Sequence, residues 1–244
     1  NNGIEHIKSI NSKDLVFSSL SIRKPSGDVL IAPFDLRLKP GDCMALGGDS
    51  GAGKTTLITA IVGRGLHQHG SGTITTPANA QMLCIPQKSY QPDLSLNGIV
   101  CYPKKADDFS NEAVTEALRA VFPKQKDLDV VLPLLDRPDA ESKNAVKGLS
   151  MGQQYRLVCA RKVLLQPDIL LLDETANSLG NDEEENLLGV LRERMPNSIF
   201  IVATQRDDKD IPATFNVRAH IVDGQMTIRR LDAAKPSNDL KASL

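Results

Sequence analysis

The chain has 244 residues, 29 basic and 30 acidic, for a net charge of −1, and 41% of it is hydrophobic. That length suits one large domain or two small ones, with enough apolar residues for a real core. Near-neutral charge gives no bulk attraction to nucleic acid or lipid. Trp is absent and aromatics make up 4%, which leaves no aromatic platform for bases. No apolar run approaches the roughly 18 residues that would span a bilayer, and the start carries no signal-peptide pattern.

In chain order, residues 1–13 are polar and read as a linker. Leu15-Val16-Phe17, Leu20-Ser21-Ile22 and Val29-Leu30-Ile31 read as strands, broken by Pro25-Ser26-Gly27. Phe34 to Leu38 alternates apolar with polar and ends at the turn Pro40-Gly41-Asp42. The first forty residues therefore predict an antiparallel β layer. Cys43 to Gly47 is a short apolar strand, and Thr56 to Val62 has the apolar content of a core helix. Gly70-Ser71-Gly72 reads as a turn into Thr73-Ile74-Thr75. Gln81 to Ile85 reads as a strand ending at Pro86-Gln87, and the stretch from about 94 to 165 as mostly helical. Within it, Glu112 to Val121 is a helix begun by Ser110 or Asn111 and stopped before Pro123. Ser150 opens another, with Pro167 after its end. Ile169 to Leu172 is continuously apolar, as a strand covered on both faces should be. Asp182 to Met195 reads as a helix with acids at its start and Arg192 and Arg194 at its end, which suits the helix dipole. Ser198 to Ala203 is a further buried strand, Val217 to Val222 and Gln225 to Ile228 form a hairpin around Asp223-Gly224, and the polar tail frays from Leu231.

The four cysteines, Cys43, Cys84, Cys101 and Cys159, form no C-x-x-C pair. They read as small reduced core residues in a cytosolic compartment. His67 and His69 sit in a polar loop without further ligands nearby, so they read as solvated.

Between the Cys43 strand and its following helix lies Gly48-Asp49-Ser50-Gly51-Ala52-Gly53-Lys54-Thr55-Thr56. This fits G-x-x-x-x-G-K-[ST] in the strand–loop–helix context that a phosphate-binding loop requires. Glycines let the backbone wrap an anion, and the loop N–H groups and helix start point at the phosphates. The motif assigns Lys54 to the β- and γ-phosphates and the Thr55 hydroxyl to Mg²⁺. In open α/β sheets ligands sit beyond the carboxyl ends of the strands. Gln87, Asp173-Glu174 and Thr204-Gln205 fall there too. Asp173 would hold Mg²⁺, directly or through water, and Glu174 would orient or deprotonate the attacking water. Ser150 and Gly152 at a helix start make a second anion-seeking end, though a purely structural N-cap at Ser150 explains them as well.

With these motifs in this order, the chain resembles the nucleotide-binding domain of ATP-binding cassette (ABC) transporters over about residues 14–230. Gly48 to Thr55 is similar to its Walker A motif, Gln87 to the Q-loop glutamine and Leu149-Ser150-Met151-Gly152-Gln153 to its signature. Ile169 to Asp173, followed by Glu174, is similar to its Walker B. Pro25-Ser26-Gly27-Asp28-Val29-Leu30, Ile85 to Tyr90, Tyr102-Pro103 and Leu-Ser-Met-Gly in place of Leu-Ser-Gly-Gly resemble the subfamily D and SbmA/BacA-like branch.

The resemblance implies an α/β P-loop NTPase (RecA-like) fold. Its mostly parallel core carries an N-terminal antiparallel β subdomain and an inserted helical subdomain over about residues 90–165. It also implies ATP and Mg²⁺ as cofactors, with Thr55, Gln87 and Asp173 toward the metal and Glu174, Gln205 and Gln87 in catalysis. Ser150, Gly152 and Gln153 of one copy would grip ATP held by the phosphate loop of a second, head-to-tail copy. Gln87 would link the helical subdomain to a transmembrane partner at the cytoplasmic face of a membrane, a bacterial inner membrane. Nucleic acid is not an expected partner.

Three positions depart from that pattern. The switch histidine falls at Gln205, the D-loop aspartate at Gly180, and the adenine-stacking aromatic is missing near Lys24, where Arg23 or Lys24 would cover the base. An amide can hydrogen-bond a phosphate oxygen but carries no proton, so slow hydrolysis is expected. The competing readings are an ATP-closed regulatory module without useful turnover and a soluble ABC ATPase of translation or DNA repair. The tandem cassettes or long coiled coil that would favour the latter do not appear in the sequence.

Overall fold

The computed structural model describes residues 3–63, 69–86, 93–173, 179–206 and 211–231. The chain divides into two compact units, Asn1–Ala80 with Ile199–Leu244, and Gln81–Ser198.

The first unit contains a four-stranded sheet in the order β1 (Glu5–Ser9), β5 (Gly70–Pro77), β2 (Leu15–Arg23), β3 (Val29–Leu38). β3 alternates as its sequence implies, burying Ile31, Phe34, Leu36 and Leu38. Pro33 is tolerated inside it because β3 lies at the sheet edge, where a missing N–H costs no ladder bond. Two expectations differ here. The polar stretch at the start holds a strand, β1, paired in parallel with β5 from Glu5↔Thr73 to Ser9↔Pro77. Its side chains are nearly all exposed, so backbone hydrogen bonds rather than an apolar face hold it, and no periodicity announces it. Gly70 to Gly72 is strand rather than turn. Ser18 and Ser19 bulge out of β2, with the register jumping between Phe17 and Leu20, and Ser19 adopts φ 45° while its N–H is taken by Asp35 Oδ1. Gly72 lies against that bulge, where a Cβ would stand 2.2 Å from the Ser19 carbonyl oxygen. The glycine is needed for close backbone approach.

The same unit holds the strands β4 (Cys43–Gly48), β8 (Ile199–Ala203), β9 (Val217–Val222) and β10 (Gln225–Arg230). β4 lies between β8 and β9 and pairs in parallel with both, while β10 closes the antiparallel hairpin on β9. β4 and β8 are buried almost throughout, as the apolar runs require. Helix α1 (Lys54–Val62) follows β4 and buries Leu57, Ile58, Ala60 and Ile61. It stops at Gly63, whose left-handed conformation returns its N–H to the Thr59 and Ala60 carbonyls.

A single carboxylate ties this unit's turn to its hairpin. Asp42 accepts from the Lys39 N–H, Asn216 Nδ2 and both terminal nitrogens of Arg230. Burial alone would raise its pKa. The bonds from Arg230, Lys39 and Asn216 outweigh it and hold the carboxyl below its ordinary range.

The second unit has a parallel pair, β6 (Met82–Ile85) and β7 (Ile169–Leu172), in register from Met82↔Ile169 to Ile85↔Leu172. Between them run α2 (Leu96–Cys101), α3 (Asn111–Val121), α4 (Gln125–Val131), α5 (Asp139–Lys147) and α6 (Met151–Leu165); α7 (Asn181–Arg194) follows β7. The charged, Pro-interrupted segment from 123 to 147 forms α4, a 3-10 turn at Leu132–Leu134 and α5. Ser110 caps α3 by accepting from the Ala113 N–H. Buried Ser142 joins α5 to α2, accepting from Leu96 N–H and donating to the Leu134 carbonyl. Cys43, Cys101 and Cys159 are buried and Cys84 half-buried, all as free thiols.

Candidate functional site

In the first unit the phosphate-loop sequence leaves β4 and enters α1 as the motif demands. Gly48, Gly51 and Gly53 take φ of 138°, 81° and 106°, values that L side chains rarely adopt. Two of them are also sterically required. A Cβ on Gly48 would stand 2.8 Å from the Ile221 carbonyl oxygen, and one on Gly53 would stand 3.0 Å from Leu30 Cγ. At Gly51 space is open and only the conformation calls for glycine. Lys54 is 4% exposed, and its ammonium donates to the loop's own carbonyls, Gly48 at 2.6 Å and Asp49 at 3.1 Å. This ring of backbone around one cation is the cradle an anion would enter. Asp49, Ser50 and Thr55 are exposed, and Ala52 and Thr56 half-buried.

β8 ends beside β4. The Thr204 N–H reaches the Leu46 carbonyl at 3.0 Å, and Thr204 Oγ1 then accepts from the Arg206 N–H. The fold thereby places exposed Gln205 and the phosphate loop at the carboxyl ends of neighbouring strands within one unit.

In the second unit Asp173 closes β7. It is 5% exposed, and its N–H donates to the Ile85 carbonyl. Gln87 and Glu174 lie outside the described residues. Ser150 caps α6 with a reciprocal pair: its Oγ accepts from the Gln153 N–H, and its own N–H donates to Gln153 Oε1. Gln153 Nε2 then donates to Asp127 Oδ1 on α4. The structural N-cap is therefore real. It leaves the first N–H groups of α6, at Met151 and half-buried Gly152, directed out of the helix start without intrahelical partners.

Sequence reasoning missed three buried cations on α6. Arg156 donates to the Val121 carbonyl at 2.6 Å and approaches Glu183 Oε2 at 3.4 Å. Glu183, in the first turn of α7, also receives Lys124. The hydrogen bond from Lys124 is the main cause holding the Glu183 carboxyl below its usual range. Arg161 donates to the Ile99 carbonyl and lies 5.5 Å from the Tyr102 ring centre, its pKa lowered by burial and partly restored by Tyr102. The Lys162 ammonium makes no hydrogen bond or ion pair among the described residues. Its pKa falls from 10.5 to about 8, first through burial and then through the charge of Arg161, with opposing contributions from Cys159 and Cys84. In the sequence all three look like ordinary solvated basic residues.

The family model described as ABC transporter matches residues 31–177, more than half of the chain. An uncharacterized ABC transporter ATP-binding protein of Haemophilus influenzae is 32% identical over 193 residues, which cover 79% of this chain and 31% of that protein. ABC transporter D family member 1 of Arabidopsis thaliana is 31% identical over 182 residues, covering 72% of this chain and 13% of its own length. A solved structure titled as a bacterial Atm1-family ABC exporter with ATP bound superimposes with a TM-score of 0.71 at 19% identity, covering 91% of this chain and 40% of that one. At that identity the likeness shows the fold, which is the α/β P-loop NTPase fold. The chain belongs to the ABC transporter family and is an ATP-binding domain of that class. It spans about a third or less of the length of these two curated relatives. Among the described residues no helix is long and apolar enough to cross a membrane.

Proposed function

We propose that this domain binds ATP with Mg²⁺ and hydrolyses it, slowly, to move a substrate through a transmembrane domain carried by the same polypeptide or by a separate subunit. The observation that carries this reading is the Gly48–Thr55 loop. Three left-handed glycines and a buried lysine that donates to the Gly48 and Asp49 carbonyls form a preorganised anion cradle at the start of a helix. Exchanging two carbonyl partners for phosphate oxygens keeps the Lys54 ammonium bonded throughout. Lys54 and the loop N–H groups from Gly48 to Thr56 hold the phosphates, and Thr55, Gln87 and Asp173 are assigned to Mg²⁺. The metal, when bound, offsets the phosphate charge. Glu174 orients or deprotonates the attacking water.

A second copy, arranged head to tail, places the α6 start of one protomer, with Ser150, Gly152 and Gln153, on the nucleotide of the other. The dimer sits at the cytoplasmic face of a membrane, a bacterial inner membrane. Two helix starts on opposite sides of one triphosphate supply the reason for closing when ATP is present.

Gln205 supports slow turnover, because an amide at that place carries neither proton nor charge. The same residue, with Gly180, favours the alternative of a regulatory module that closes on ATP without useful hydrolysis. Steady-state phosphate release from purified protein decides between them. ATP-dependent release abolished by Glu174→Gln supports the motor. ATP-dependent dimerisation with no release, unaffected by that exchange, supports the regulatory module. An ATP analogue with Mg²⁺ that leaves the Gly51–Thr55 amides undisturbed would overturn both.

A further inference from the structure

Both ends of the Gln153 side-chain amide are engaged within the second unit. Oε1 accepts from the Ser150 N–H at 3.0 Å, and Nε2 donates to Asp127 Oδ1 at 3.0 Å. Asp127 stands half-buried in the first turn of α4. A primary amide is nearly symmetric in shape, so its oxygen and nitrogen exchange places on a half turn. Flipped, the Gln153 amide would set an NH2 group against the Ser150 N–H, donor against donor. A carboxylate only accepts, so Asp127 selects the orientation in which Oε1 faces Ser150.

The acceptor is itself held in place. Lys124, immediately before α4, pairs with Glu183 in the first turn of α7. Arg156 of α6 is 7% exposed; it donates to the Val121 carbonyl at the end of α3 and reaches the same Glu183. The start of α4 is therefore anchored on both sides, and Asp127 is presented at a fixed place beside the start of α6. Gln154 adds a second brace there, its Nε2 donating to the Leu149 carbonyl at 2.9 Å.

What these bonds fix is a set of donors. Ser150 Oγ accepts from the Gln153 N–H, so its own proton is left to be given outside the helix, beside the N–H groups of Met151 and Gly152. If the Gln153 amide swings away, the Ser150 N–H loses its partner and the extended backbone at Ser150, φ −60° and ψ 157°, loses the bond that fixes it. We propose that Asp127 is a positioning residue for the ATP clamp: through Gln153 it keeps the Ser150 hydroxyl and the Met151 and Gly152 N–H groups converged on a phosphate held by a second copy. This role rests on the head-to-tail reading given above.

Two measurements on wild type, Asp127→Ala and Asp127→Asn test it. NMR without nucleotide follows the Gln153 side-chain amide and the exchange of the Ser150 N–H. Light scattering then gives the ATP concentration for half-maximal dimerisation. Asp127→Ala should expose the Gln153 amide to solvent, speed Ser150 exchange and raise that concentration roughly fivefold to tenfold, with ATP binding at the Gly48–Thr55 loop unchanged. Asp127→Asn keeps an acceptor without the charge and should stay close to wild type in both measurements, which a simple loss of charge at the start of α4 would not allow. An Asp127→Ala chain that dimerises at the wild-type ATP concentration, or an Asp127→Asn chain as weak as Asp127→Ala, overturns the positioning role and leaves the head-to-tail reading standing. A wild-type chain that binds ATP and stays monomeric overturns both.

Discussion

Replacing Lys162 with Met should stabilise this protein. Lys162 is 6% exposed in the middle of the second unit. With no carboxylate partner among the described residues, its charged form is disfavoured by burial and by Arg161, and its pKa drops from 10.5 to about 8. At about 1.4 kcal/mol per pH unit the gap corresponds to roughly 3 kcal/mol. The folded state holds this proton less tightly than the unfolded chain does. Between pH 8 and 10.5 the unfolded chain therefore binds more protons, and wild-type stability rises with pH through that window. Below it the penalty is present in full. Met keeps the buried stem at similar volume and removes the charge. Urea unfolding of both proteins at neutral pH should show Lys162→Met more stable by about 2–3 kcal/mol, and the difference should shrink as pH climbs toward 10.5. Titrating groups not coupled to Lys162 are common to both proteins and cancel in the comparison. A variant less stable than wild type at neutral pH, or a difference unchanged at high pH, would refute the reasoning.

Asp42→Ala strips the acceptor from the Lys39 N–H, Asn216 and Arg230 and should cost about 2–3 kcal/mol in urea unfolding. Because its folded pKa is lowered, the wild-type contribution is complete above the ordinary carboxylate range and is lost as pH falls through the folded value. The wild-type advantage over Asp42→Ala should therefore vanish in acid. Gly48→Ala forces a side chain into φ 138° and against the Ile221 carbonyl; a loss of roughly 1–3 kcal/mol together with weakened ATP binding is expected by calorimetry. Ser150→Ala removes the α6 cap and should lower stability by about 1 kcal/mol, while ATP-dependent dimerisation, read by light scattering, falls. Gln205→His should raise phosphate release; an unchanged rate would mean that the residue at this strand end does not limit turnover.

Where one stretch of chain contains its own explanation, the sequence alone was sufficient. The strand–loop–helix from Cys43 to Val62, the start of α6 at Ser150 and the buried run from Ile169 are set by local rules. Glycines permit left-handed backbone, a hydroxyl caps a helix start, and apolar runs seek cover on both faces. Only the tertiary structure decided that β1 exists, because its stability comes from ladder bonds to β5, a strand some seventy residues away. Only it showed that Gly72 answers a bulge at Ser19, and that Lys162 is buried rather than solvated. A residue's type states what it can bond to or exclude. Which group stands opposite it depends on chain segments far apart in sequence, and the low-dielectric interior they enclose then sets the cost of a charge.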